Sequence, residues 1–240
     1  MMPVISNGWL RHAVALVTAV VSLWGASAQA QVDEDQLGAW YMAFWSASIG
    51  DNGWGLQGDF QNRNWDTGGD LEQWLLRSGV TYRPEGSNTL YTFGYANIRT
   101  GAFGDSDASF REDRVYQEAL ISQKPALWLS LRHRFRFEQR WVDGQDFRTR
   151  LRYALFADIP LNGRTGGKGA VYLALYNELF LNSTRDIGDG RRVDVYDRNR
   201  TYAALGYGLS DRYKTQFGYM YQHSDGVEKG QLQLSLHASF

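Results

Sequence analysis

Seven arginines stand within residues 131–152, "LRHRFRFEQRWVDGQDFRTRLR", and most of them are two positions apart. A guanidinium forks onto a carboxylate or a phosphate through parallel N–H donors. Such a run can therefore serve nucleic acid, lipid phosphate, or acids of the same chain. Spacing narrows the choice. A period of two puts side chains on one face of a β-strand, whereas a helix would scatter them. On a strand near 127–141, one face carries Leu127, Leu129, Leu131, Phe135, Phe137 and Trp141, and the other carries Arg132, Arg134, Arg136, Glu138 and Arg140. On the next, near 147–161, Phe147, Leu151, Tyr153, Leu155 and Ile159 oppose Arg148, Arg150, Arg152 and Asp158. The two strands form a hairpin with an apolar side and an arginine side.

Other chemistries are poorly supplied. The chain has no Cys, which removes thiolates and disulfides. Its four His are scattered, so no metal site is expected. Two His–Ser neighbourhoods exist, His223 with Ser224 near Asp225 and Glu228, and His237 with Ser239. A hydrolase needs such a pair in contact, yet adjacent strand residues diverge, and the second pair sits at the final residues. The "GRTGGKG" at Gly163 lacks Ser or Thr after Lys168 and precedes no helical pattern, so it reads as a turn. The "NST" at Asn182 is a sequon without weight here. No catalytic residue and no cofactor is expected; the enzymatic alternative is an outer-membrane lipid hydrolase using His223 and Ser224.

The elements that position the arginines are strands. Aromatics make up 15% of 240 residues, Gly stands at 26 and Pro at only 4. The closing "QLQLSLHASF" alternates Leu232, Leu234, Leu236, Ala238 and Phe240 against Gln231, Gln233, Ser235, His237 and Ser239. Similar alternation predicts strands near 36–46, 54–65, 71–83, 89–99, 114–124, 127–141, 147–161, 169–182, 198–209, 213–222 and 230–240. Most match the roughly 9–11 residues of a tilted membrane-crossing strand. Turn clusters separate them, "PEGSN" at Pro84 and "SDR" at Ser210 among them. Long connections such as 183–197 and "HSDGVEKG" alternate with short ones, as in outer-membrane barrels.

Upstream, Arg11 and His12 precede the apolar run "AVALVTAVVSLWG" and then "ASAQA". This pattern predicts a signal peptide over residues 1–30, with the mature domain at 31–240. Export removes cytoplasmic nucleic acid as a partner, and the net charge of −1 fits no polyanion binder. The expectation is an all-β, transmembrane antiparallel β-barrel of about 10–12 strands in the bacterial outer membrane. Eleven segments are counted, but single-chain bacterial barrels are even-numbered, so ten or twelve is expected. A secreted soluble β-sandwich is the alternative fold.

In a barrel the apolar side of the arginine hairpin meets lipid, where a charge costs about 2–4 kcal/mol at the midplane. The arginines must then line the lumen. Asp59, Glu118, Glu138 and Glu178 are candidate partners, with Gln57, Gln61 and Gln117 adding hydrogen bonds. Two readings stay open: an Arg–carboxylate network that fills and stiffens the barrel, or an anion-attracting channel. Oligomeric state is not legible.

Several blocks resemble a known family: "GDLEQWLLRSGVTY" at Gly69, "GYANIRTGAFG" at Gly94, "RVYQEALISQK" at Arg114, "HRFRFEQRWVDGQDFRTRLRY" at His133, "VYLALYNELFLN" at Val171 and "DRNRTYAALGY" at Asp197. They are similar to domain-of-unknown-function family 2490 (DUF2490). The resemblance implies an outer-membrane β-barrel of Gram-negative bacteria surrounded by outer-membrane lipid, and it implies no activity. The terminal Phe240, with its alternating apolar neighbours, is similar to the signal read by the barrel-assembly machinery.

Overall fold

Eleven strands form among the residues that the computed structural model describes, 33, 35–224 and 226–240. They are β1 (Gly38–Ser48), β2 (Trp54–Asn64), β3 (Leu71–Tyr82), β4 (Thr89–Gly101), β5 (Ser109–Ala126), β6 (Leu129–Val142), β7 (Arg148–Pro160), β8 (Val171–Asn182), β9 (Tyr196–Gly208), β10 (Tyr213–Ser224) and β11 (Val227–Ser239). No helix occurs among the described residues. The proposed signal peptide, residues 1–30, and Asp225 lie outside them.

Each strand pairs antiparallel with the next in sequence, and β1 pairs with β11 to close a barrel. The expected even number is corrected to eleven. A meander with an odd count ends with its first and last strands pointing the same way, so the closing pair has to be parallel. It runs from Gly38↔Gln231 to Ser46↔Ser239. Closure leaves no sheet edge, so no strand presents a row of unpaired backbone groups.

Call the end that holds residues 65–70, 102–108, 143–147 and 183–195 the loop end, and the opposite one the turn end. The expected alternation of connection lengths holds only in part. The β10–β11 connection at the loop end is just residues 225–226, while residues 161–170 make a ten-residue connection at the turn end. The strands consume what looks like loop sequence, because His223–Ser224 and residues 227–230 extend the ladder as far as Ser224↔Val227. In the loop 65–70, the Asp66 carboxylate accepts from the backbone N–H of Asp70, Gly69 and Gly68, which holds its pKa below the ordinary value.

Strand alternation divides the side chains between two faces. Gln231, Gln233 and Ser235 are buried, whereas Leu234 and Leu236 are exposed. In β9, Arg200, Tyr202 and Ala204 are buried and Leu205 and Tyr207 exposed. Inward glycines make room for rings: a Cβ on Gly206 would lie 2.1 Å from the Tyr172 ring, and one on Gly94 2.3 Å from Tyr116. The outer face has an order along the barrel. Trp74, Phe110, Trp141, Phe147 and Tyr221 are exposed towards the loop end. Trp45, Trp54, Tyr82, Tyr91, Trp128, Tyr213 and Phe240 are exposed towards the turn end. Between these two belts stand exposed Leu76, Phe93, Phe135, Leu151, Leu155, Leu205, Phe217, Leu234 and Leu236.

Candidate functional site

Inside the barrel lies a cavity of about 660 Å³ with lining residues from every strand. It reaches from Phe44, Ser46 and Ser239 at the turn end to Gln145, Arg148 and Ser224 at the loop end. Fourteen Arg and Lys side chains line it, against six Asp and Glu.

The β5–β8 wall carries the arginines of the opening hairpin. Arg136, Arg140, Arg148, Arg150 and Arg152 are buried, with Glu118, Glu138 and Glu178 among them, and Arg132 and Arg134 are half-buried. Glu138 is 1% exposed and is the hub: it accepts from Arg150 at 2.6 Å and from Arg152 at 2.6 Å. Glu178 accepts from Arg134 and Arg152, each at 2.6 Å. Arg136 donates to Glu118 at 2.5 Å, and Arg134 lies 3.7 Å from the same carboxylate. Arg132 pairs with Asp158 at 2.7 Å, and Asp59 on β2 takes Arg77 at 2.7 Å. Period-two positions on neighbouring strands bring these groups together, since Glu138↔Arg150 and Glu118↔Arg136 are direct register partners. Of the expected amide partners, Gln61 donates to Asp59 at 2.6 Å and Gln57 to Thr92 at 3.0 Å. Gln117 bonds Gln139 instead of any charged group.

Sequence reasoning missed several members. Glu112 bridges Arg114, at 2.6 Å, and Arg140. Asp197 accepts from Arg150 at 2.7 Å. Glu112 sits on a period-two inward position and Asp197 at the register irregularity between Tyr196 and Arg198, and their segments, "SFRED" and "VYDRNR", read as charged loops. Across from this wall, Arg63 on β2 and Arg200 on β9 converge on Trp40 of β1. The Arg63 guanidinium carbon lies 3.9 Å from the Trp40 ring centre, and that of Arg200 lies 4.8 Å from it. Arg200 also lies over Phe180 at 4.9 Å, and Arg152 over the same ring at 4.4 Å. The sequence Arg63, Trp40, Arg200, Phe180, Arg152 thus forms a belt of alternating cations and aromatic rings from β2 round to β7. Only a closed barrel shows it, because these residues are far apart in the chain.

The partners differ there. Arg63 donates to Gln61 and Gln73, and Arg200 to Gln222 at 2.8 Å; neither pairs with a carboxylate among the described residues. Glu72 instead accepts from the Trp40 indole N–H at 2.8 Å and from Gln231 at 3.2 Å. Tyr176 and Tyr202 stack at 4.8 Å, and Gln233 donates to the Tyr176 hydroxyl at 3.4 Å. The buried Tyr202 hydroxyl has no hydrogen-bond partner among the described residues.

Neither His–Ser pair read from the sequence forms: His223 does not meet Ser224, nor His237 Ser239. The His223 ring bonds the Tyr196 hydroxyl at 2.7 Å through Nδ1, while Ser224 donates to the Val227 carbonyl at 3.0 Å. His237 bonds Ser235 at 2.9 Å and stacks on Phe44, and Ser239 meets Ser46 at 3.4 Å. Among the described residues no group of three metal-ligating side chains converges. Phe240 is exposed against Tyr213 and its N–H donates to the Ser46 carbonyl at 2.8 Å.

The family model described as Protein of unknown function (DUF2490) matches residues 37–233. That stretch takes in ten strands whole and about half of the last, with every ion-paired side chain and every member of the Arg63-to-Arg152 belt described above. No curated protein matches the chain.

Proposed function

The chain belongs to the DUF2490 family, and from that premise we propose that it is an outer-membrane β-barrel admitting small anions into a cationic lumen. The membrane reading is supported by the outer face, where two belts rich in Trp and Tyr bracket a band of Leu and Phe. Aromatic girdles of this kind flank the apolar zone of transmembrane barrels. Residues 1–30 would be removed on export. An outer-membrane fraction should contain protein that begins at Gln31; protein found in the soluble periplasm would overturn the location.

The lumen's charge carries the anion reading. Fourteen Arg and Lys side chains line the cavity against six Asp and Glu, and Glu138 and Asp197 behind them still leave cations in excess. Rings of fixed positive charge are how pores favour anions. Purified protein in planar bilayers should pass chloride in preference to potassium, and Arg200→Gln should reduce that preference. Cation selectivity would sink the proposal. A second reading, a sealed structural barrel, is favoured by the belt from Arg63 through Trp40, Arg200 and Phe180 to Arg152, which packs inward side chains together from β2 round to β7. Absence of any conductance selects it.

The proposal is not enzymatic. Deletion of the gene should leave lipid A and phospholipid profiles unchanged, and loss of a deacylated species or build-up of an uncleaved one would reopen the hydrolase reading.

A further inference from the structure

Five cationic side chains in the lumen (Arg63, Arg148, Arg200, Lys214 and Lys229) have no carboxylate partner at ion-pair distance among the described residues, and two of them share one aromatic ring. Arg63 and Arg200 both lie on Trp40, so their guanidinium carbons are no more than about 9 Å apart. Each is fixed by amide oxygens, which orient a guanidinium without neutralising it. Arg200 spends only its Nε on Gln222, leaving both terminal nitrogens to the cavity. Two like charges held together in a low-dielectric interior destabilise the fold unless something compensates them.

Beside this pair are neutral polar groups with spare capacity. Tyr202 is 4% exposed and its hydroxyl, closed off from solvent, has no partner among the described residues, although a buried hydroxyl ordinarily finds one, so a solute reaches it only as the ring turns. Tyr176 stacks on it and holds only a long bond from Gln233. The rings of Trp40, Tyr176 and Tyr202 give flat apolar surface next to these donors and acceptors. The cavity volume of about 660 Å³ falls within the range of small-molecule sites, roughly 300–1,000 Å³.

We propose that the loop-end part of the lumen is a binding site for a small hydroxylated organic acid, of which an acidic monosaccharide is the simplest case. The carboxylate takes the charge of Arg63 and Arg200. The hydroxyls take Tyr202, Tyr176 and Gln233, and a C–H face of the solute rests on the rings. This deepens the reading of a cationic lumen and rests on it. A neutral sugar would leave both guanidiniums uncompensated, and a bare inorganic anion would leave the tyrosines unused, so the site should discriminate against both.

Glucuronate, glucose and inorganic phosphate titrated separately into the folded protein in detergent test this. Glucuronate should bind at least tenfold more tightly than glucose and more tightly than phosphate. Arg200→Gln, checked for folding by its gel shift on heating, should lower glucuronate affinity tenfold or more. Tyr202→Phe keeps every charge; it should weaken glucuronate severalfold and leave phosphate binding unchanged. Phosphate bound as tightly as glucuronate, with Tyr202→Phe silent, would overturn the ligand class. No binding of any of the three would overturn the site. Chloride current that glucuronate does not block removes the site while leaving the anion channel intact. Glucuronate binding without any current removes the channel while leaving the site intact.

Discussion

The two walls of this barrel use the same residue for opposite ends. On β5–β8, arginine meets carboxylate: Glu138 alone serves Arg150 and Arg152, and Glu178 serves Arg134 and Arg152. Facing it, on β1, β2, β9 and β10, arginine meets amide and aromatic ring: Gln61 and Gln73 hold Arg63, Gln222 holds Arg200, and Trp40 lies against both. A carboxylate cancels the charge that it positions; an amide positions it and leaves it standing. Every arginine of the first wall except Arg148 therefore has a carboxylate of its own wall or that of Asp197, and the second keeps its charge for something else. Swapping partners between the walls is the way to break this contrast.

The largest effect is expected at the hub. Glu138→Ala strips the shared partner from Arg150 and Arg152 inside a wall where Glu138 is 1% exposed. Removing one side of a buried pair costs about 3–5 kcal/mol, and although Arg150 keeps Asp197 and Arg152 keeps Glu178, Arg114, Arg136, Arg150 and Arg152 all lose a carboxylate lying within 4.0 Å. The apparent unfolding temperature in detergent should drop by many degrees; a drop no greater than that of an exposed control such as Glu85→Ala would mean that the wall is not held by its ion pairs.

A matched pair of arginine changes comes next. Arg136→Gln leaves Glu118 with only the more distant Arg134 and should destabilise by about 3 kcal/mol. Arg200→Gln breaks one amide bond and two ring contacts but also removes an uncompensated buried charge, so its stability should stay within about 1 kcal/mol of the parent. Denaturant titration of both variants settles the contrast, which fails if the two losses are equal. The reverse swap, Gln222→Glu, gives Arg200 the partner that it lacks. It should hold or raise stability while moving the chloride-over-potassium reversal potential towards zero.

These walls were unequally legible in the sequence. Glu138, Arg150 and Arg152 could be placed on one face of one hairpin because a period of two survives in "RHRFRFEQR" and "RTRLR", and hairpin partners are sequence neighbours. Ten of the eleven strands are readable to within about three residues at each end for the same reason. The start of β5 is not, since Arg111 and Asp113 point outward and bond to each other and to Tyr95, so their polarity mimics a loop. The second wall escapes prediction altogether. Trp40 meets Arg200 only after β1 joins β11, and alternation, which counts the eleven strands, does not show which inward residues face one another once the ring closes. Arg63 looks like any exposed arginine until the ring closes over it.

The smallest effect separates the walls most finely. Tyr172 and Tyr202 are inward tyrosines on adjacent strands, in the same apolar cluster. The Tyr172 hydroxyl accepts from Gln216 at 3.1 Å, and that of Tyr202 has no partner among the described residues. Tyr172→Phe should therefore cost about 1 kcal/mol, the net worth of one hydrogen bond. Tyr202→Phe should cost nothing or stabilise slightly, because it removes a buried hydroxyl that the fold does not satisfy. Equal losses in paired unfolding measurements would mean that the Tyr202 hydroxyl is engaged by the fold itself. An unequal result leaves a hydroxyl that contributes nothing to stability beside two arginines that no carboxylate among the described residues meets at ion-pair distance. Groups that weigh on the folded state in this way are best explained by a solute that arrives after folding.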